Sequence, residues 1–122
     1  MSAKATRDGS ETRKVTTVRE AKRVLERGLR AAERAVGEAG RLDRASRKGE
    51  RDAYQRALGV VENHEDLMWA KEVCLDQEAR YRRQSIDAEE WSAAMTRKFR
   101  AQFRTFGQIA ARLEQATIGG GA

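Results

Sequence analysis

Residues 85–113 read SIDAEEWSAAMTRKFRAQFRTFGQIAARL and predict one long amphipathic helix. Asp87 and Glu90 have the spacing of a capping box at its start. Ile86 and Trp91 flank this cap at the positions of a hydrophobic staple. Apolar residues then recur at intervals of four or three, which places them on one face of the helix. We expect this face to form either core or a contact between subunits: Trp91, Met95, Phe99, Phe103, Phe106 and Leu113.

The composition favours an all-α protein. The chain has 122 residues, which limits it to one domain, and 36% of them are charged against 39% hydrophobic. It contains no proline, and alternating apolar and polar runs are scarce, so long helices are favoured over a sheet.

Three helices are predicted, over residues 17–40, 52–84 and 88–117. The first begins at a capping box, Thr17 to Glu20, and ends at a pair of glycines. The second passes through an acidic segment around Asn63, where it either continues or breaks. We expect the first two helices to form a long antiparallel, coiled-coil-like hairpin. The aromatic third helix then packs either on this hairpin or on a neighbouring subunit of an oligomer.

The predicted helices form a single domain, residues 15–117, between two polar ends. Residues 1–14, MSAKATRDGSETRK, lack periodicity and predict a disordered basic arm. Residues 118–122 contain three glycines and predict a flexible tail.

Positive charge is concentrated at the two ends of the chain, around an acidic middle. The net charge is +6. This distribution suits either binding of a polyanion or head-to-tail self-association, and an ordinary solvated helical surface is the alternative. The compact segment 41–52 is the most basic and is expected to be an exposed connector, with Gly49 at a turn. Together with the arm it supplies the candidate DNA-binding residues: Arg41, Arg44, Arg47, Lys48, Arg51, Arg13 and Lys14.

No catalytic, metal or cofactor signature is present in the sequence. His64 is the sole histidine, and its acidic neighbours would not converge on one face of a helix. Cys74 is the sole cysteine, so no internal disulfide is possible and a reducing, cytoplasmic location is expected. We therefore expect no enzyme activity, no cofactor, no bound metal, and no membrane partner, because no apolar run approaches the length of a membrane span.

Residues 67–113 resemble the C-terminal part of small terminase subunits, the DNA-packaging proteins of tailed phages. The resemblance lies in the helix AKEVCLDQEARYRRQ, the cap SIDAEEW and the final helix FRTFGQIAARLE. Gly107 stands where such proteins often have proline, and the helix-turn-helix that frequently precedes this region is not evident.

The resemblance implies a homo-oligomer, often a ring, without catalytic activity. Such a protein recruits double-stranded DNA to the large terminase motor subunit in the cytoplasm of the host cell. Without a helix-turn-helix, DNA contact would fall to basic surfaces with little or no sequence preference. The alternative, from a different functional class, is a helical adaptor or scaffold that binds another protein.

Overall fold

A computed structural model describes residues 17–41, 43–64 and 66–121, with side chains described as far as Leu113. These residues form four helices: α1 (Val18–Glu38), α2 (Arg44–His64), α3 (Leu67–Ala88) and α4 (Ala93–Gly121). The all-α prediction is confirmed, but the described residues form four helices, where the sequence predicted three. The predicted basic arm, with Arg13 and Lys14, lies outside the described residues.

Helix α1 starts where the sequence predicts. The Thr17 hydroxyl accepts a hydrogen bond from the backbone N–H of Glu20 at 3.0 Å, which caps the first turn. The helix ends at Glu38, two residues before the predicted end.

Helix α2 begins at Arg44, eight residues earlier than predicted. The connector therefore spans only residues 39–43, and the basic segment after it is helical. Gly49 is a buried helical residue, so its prediction as a turn is wrong. The segment is rich in Arg, Lys, Ala and Glu, which favour a helix. Gly49 does not end this helix, and its lack of a side chain allows a close crossing with another helix.

The predicted helix 52–84 is broken into two. The carboxylate of Asp66 accepts a hydrogen bond from the backbone N–H of Trp69 at 3.1 Å and caps a new helix, α3. Of the two alternatives near Asn63, the structure shows the break, and Asp66 caps the new helix.

Helix α4 begins later than predicted, and Asp87 is not its cap. Asp87 lies in the last turn of α3, and the hydroxyl of Ser92 instead accepts a hydrogen bond from the backbone N–H of Met95 at 3.1 Å. Ile86 and Trp91 remain 59% and 65% exposed, which does not fit a packed staple. Helix α4 runs to Gly121, so the helix extends beyond the predicted end at 117 into the predicted tail.

The helices pack in the spatial order α1, α2, α4, α3. Helix α1 packs on α2, α2 on α4, and α4 on α3, whereas α2 and α3 touch much less. The contact of Gly28 with Tyr54 is consistent with an antiparallel α1–α2 hairpin. Glu89 with Arg100, and Arg82 with Phe103, are consistent with a second antiparallel pair, α3 and α4.

The core is built mainly from small residues on α2 and α3 and from larger ones on α4. Small side chains let helix backbones approach closely, and Phe106 and Leu113 fill the remaining space. The core cluster contains Ala21, Leu25, Ala53, Ala57, Val61, Ala70, Cys74, Phe106, Ile109, Ala110 and Leu113.

Candidate nucleic-acid interface

The predicted DNA-binding arginines at the start of α2 are largely engaged within the chain. Arg47 forms an ion pair with Glu50 at 3.2 Å, and Arg51 forms one with Asp52 at 2.9 Å. The guanidinium of Arg44 lies 3.5 Å from the carbonyl of the α1 C-cap residue, to which it donates a hydrogen bond. These contacts orient the side chains and partly neutralise the charges that were expected to meet DNA.

Two other members of the predicted set are more accessible. Arg41 and Lys48 are exposed, and neither forms an ion pair in the part of the chain that the structure describes. Among the described members of the predicted set, Arg47 and Arg51 therefore pair with carboxylates, whereas Arg41 and Lys48 do not.

A more continuous basic surface lies on α1. It consists of five exposed arginines, which we call the arginine stripe: Arg19, Arg23, Arg27, Arg30 and Arg34. Their spacings of four, four, three and four residues hold them within about 80° of the helix circumference. The stripe is about 22 Å long at 1.5 Å per residue.

The arginine stripe lies opposite the packed face of α1. Ala21, Leu25 and Ala32 are the buried residues of this helix, and they occupy the other side of the helical wheel. Since α1 is an end member of the helix row and packs chiefly on α2, its arginine face points away from the protein.

The charges of the stripe are not neutralised by ion pairs within the described part of the chain. Glu26 lies three residues after Arg23 and four before Arg30, spacings at which helical side chains are neighbours. No carboxylate comes within ion-pair distance of any of the five guanidiniums among the described residues. The stripe therefore presents cations to solvent instead of a salt-bridge network.

Sequence reasoning missed the arginine stripe, although its signal was available. Ala21, Leu25 and Ala32 recur at helical periodicity on one face of α1, and the same periodicity places these arginines on the opposite face. Residues 41–52 were predicted to bind DNA because their basic residues are the most closely spaced along the sequence. Density along the chain is a poor guide here, because a helix distributes adjacent residues around its axis.

A smaller basic group lies on the exposed face of α4. Arg97, Arg100 and Arg104 are exposed on one side of this helix. Arg100 donates a hydrogen bond to the carboxylate of Glu89 at 2.8 Å, which closes the turn between α3 and α4. This group is shorter than the arginine stripe and partly paired.

The aromatic face of α4 is mostly used inside the chain. Phe106 and Leu113 are almost fully buried, and the ring of Tyr81 stacks on Phe106 at 5.9 Å and on Phe99 at 5.8 Å. The guanidinium of Arg82 lies 5.1 Å from the centre of the Phe103 ring.

The two remaining members of that predicted face differ from each other in burial. Met95 is partly buried, and Trp91 is largely exposed in the turn before α4. The apolar face predicted from residue 91 onward therefore starts inside α4, after its Ser92 cap.

The sole cysteine and the sole histidine of the chain both have packing roles. Burial raises the pKa of the Cys74 thiol to about 12, which disfavours the reactive thiolate. His64 packs against Trp69 with ring centres 3.8 Å apart. Among the described residues there is no group of three or more His, Cys, Asp or Glu placed to hold a metal ion. No helix in the described part of the chain is long and apolar enough to cross a membrane.

No protein-family model, curated protein or solved structure matches this chain. The resemblance of residues 67–113 to small terminase subunits therefore stays a prediction.

Proposed function

We propose that the protein is a non-catalytic DNA-binding component that holds the phosphate backbone through the arginine stripe of α1. The observation that supports this is the row of five exposed arginines, unpaired among the described residues, on the outward face of the end helix. A segment of duplex as long as the stripe carries about a dozen phosphate charges, counted over both strands. Guanidinium groups also suit phosphates better than ammonium groups do, because they donate two parallel hydrogen bonds.

Binding of this kind depends on charge and not on base sequence. Release of counterions from DNA supplies the driving force, so affinity falls steeply as salt rises. The net charge of +6 also draws the protein toward DNA over a longer range. We propose that the ligand is double-stranded DNA, bound with little or no sequence preference.

The resemblance to small terminase subunits suggests a DNA-packaging role for this binding. On that proposal the protein is a homo-oligomeric phage DNA-packaging component in the host cytoplasm. It brings DNA to the large terminase motor, which supplies the chemistry.

The proposal is tested by removing the same number of charges from two different surfaces. The first variant carries Arg23→Gln, Arg27→Gln and Arg30→Gln, and its matched control carries Arg44→Gln, Arg47→Gln and Arg51→Gln. Each loses three positive charges, and glutamine is a good helix former, so both helices are retained. Affinity for a random-sequence duplex is measured by fluorescence anisotropy over a salt series.

We expect the stripe variant to lose at least about tenfold in affinity at low salt, and its salt slope to fall by about 2.7, the value for three lost phosphate contacts. The control is expected to lose much less, because two of its arginines are already paired with carboxylates. Equal losses in the two variants would show that net charge alone matters and would remove the stripe from the proposal.

A protein adaptor or scaffold is the second candidate function. It is favoured by the large apolar side chains that the chain leaves exposed, among them Met68, Ile86 and Trp91. Absence of DNA binding by the natural chain at low salt would favour this alternative.

A further inference from the structure

The outer face of α3 carries apolar side chains that the described part of the chain leaves exposed. Met68 is 58% exposed, Leu75 38% and Ile86 59%. Scattered exposed apolar residues are ordinary on a protein surface, but aligned ones indicate an interface. These three lie on one line along the helix.

Their positions belong to a regular heptad pattern, which we call the α3 seam: Met68, Glu72, Leu75, Ala79, Arg82 and Ile86. Successive members are four and three residues apart, the alternation that brings two helices together along a seam. All six residues are exposed. The side of α3 that packs inward is a different one, represented by Ala70, Cys74 and Ser85.

The order of apolar and charged residues in the α3 seam is the same from either end of the helix. From either end the order is apolar, charged, apolar, apolar, charged, apolar, centred on residue 77. The two charged members are of opposite sign, Glu72 and Arg82. A second α3 placed antiparallel would therefore set Met68 against Ile86 and Leu75 against Ala79.

We propose that two copies of this chain pair through their α3 seams, antiparallel about a two-fold axis near residue 77. The same patch then serves both subunits, as two-fold symmetry requires. The axis repeats each contact, so the dimer contains two pairs of Glu72 with Arg82 and four apolar layers. The paired length is about 27 Å.

Charge complementarity favours a second copy of α3 as the partner of the α3 seam, and it favours the antiparallel direction. In a parallel pair Glu72 would face Glu72 and Arg82 would face Arg82, which is unfavourable. Within one chain, Glu72 lies 3.5 Å from Lys71, and Arg82 lies 3.7 Å from Glu78 and 5.1 Å from the centre of the Phe103 ring. Both remain more than half exposed, at 65% and 60%. Copies of Asp76 also approach each other beside the axis, but at the exposed rim, where water and salt screen the repulsion.

This inference rests on the homo-oligomeric part of the proposed function and names the surface that joins the copies. Most of the aromatic face of α4, the earlier candidate for that contact, is occupied within the chain. The association is measured without DNA, so failure of the dimer and failure of DNA binding are separate results.

A charge-swap experiment tests the seam. Sedimentation velocity over a concentration series compares the natural chain with Glu72→Arg, Arg82→Glu and the variant carrying both changes. Each single change sets like charges opposite each other twice, so we expect the dimer dissociation constant to rise at least about tenfold. The double change restores opposite charges and should bring the constant back toward that of the natural chain. Circular dichroism checks that every variant keeps its helices.

A crosslinking experiment tests the direction of the pairing. Leu75→Cys and Ala79→Cys are made as separate proteins, and each is oxidised alone or after mixing. Antiparallel pairing brings residue 75 of one copy to residue 79 of the other, so the disulfide should form mainly in the mixture. The natural Cys74 is buried and gives little background.

Each outcome bears directly on the proposal. A concentration-dependent dimer that is weakened by the single swaps, restored by the double swap and crosslinked mainly in the mixture supports it. A chain that stays monomeric at all concentrations overturns it, and so does a dimer that the single swaps leave unchanged. Crosslinks formed equally well by each variant alone overturn the antiparallel direction.

Discussion

Gly49 of α2 lies against the backbone carbonyl of Lys98 in α4, so closely that a β-carbon on the glycine would overlap the oxygen. The side chain of Ala101 would lie only 3.1 Å from the same β-carbon. The crossing of α2 and α4 thus depends on a missing side chain. Lys98 also forms an ion pair with Asp52 at 3.4 Å, one turn further along α2.

Substitution of Gly49 by Ala is expected to destabilise the protein by about 1–2 kcal/mol. The better helix propensity of alanine stabilises the folded state by up to about 1 kcal/mol. This gain is outweighed because the overlap involves backbone atoms, so the two helices must move apart. Gly59→Ala is the control in the same helix, because nothing lies within 4 Å of its β-carbon position. The control should gain about 0.5–1 kcal/mol. Urea unfolding followed by circular dichroism measures both, and a stabilised Gly49→Ala would contradict the close crossing.

The start of α4 is tested by removing each of two possible caps. Ser92→Ala should destabilise the protein by about 1 kcal/mol, because the Ser92 hydroxyl accepts the Met95 N–H. Asp87→Ala should have little effect or a slight stabilising one, since a negative charge in the last turn of α3 opposes the helix dipole. Thermal unfolding compares the two. A larger loss from Asp87→Ala would restore the cap predicted from the sequence.

The two ends of the predicted aromatic face should differ sharply in their contribution to stability. Phe106 is 1% exposed and stacks on Tyr81, so Phe106→Leu is expected to destabilise by about 1–3 kcal/mol, and Phe106→Ala by about 3–5 kcal/mol. Trp91 is 65% exposed, so Trp91→Ala should change the free energy of unfolding by about 0.5 kcal/mol or less. Denaturant titrations at low protein concentration provide the comparison. A large loss at Trp91 would mean that its ring is buried in the folded chain.

Cys74 should be inert in the native protein. Burial raises its pKa to about 12, so almost no thiolate forms at pH 8. A disulfide reagent added at that pH is expected to modify Cys74 only after denaturant unfolds the chain. Rapid labelling of the native protein would show that the thiol is accessible. Reaction of the unfolded chain is the internal control.

The helix boundaries show which helix ends a local sequence pattern predicts correctly. The Thr17 capping box predicts the start of α1 correctly, because that cap involves only residues within one turn. The pattern at Asp87 and Glu90 is equally good, yet it lies across the end of α3 and the following turn. Ser92 offers a competing cap, and packing of α3 against α4 decides between the two.

The basic surface shows the same division. The buried residues of α1, Ala21, Leu25 and Ala32, follow helical periodicity, and the same periodicity places the arginine stripe on the opposite face. The ion pairs of Arg47 with Glu50 and of Arg51 with Asp52 join residues within one helical turn, whereas the ion pair of Lys98 with Asp52 forms only after two distant helices pack together.

Composition, periodicity and the Thr17 capping box were sufficient to specify a helical chain and the start of its first helix. These features depend on interactions within a few turns. Tertiary packing determined the late start of α4, the close approach of Gly49 to α4, the row order α1, α2, α4, α3 and the side of α3 left exposed. Those depend on which helix faces fit together, and a one-dimensional pattern does not contain that information.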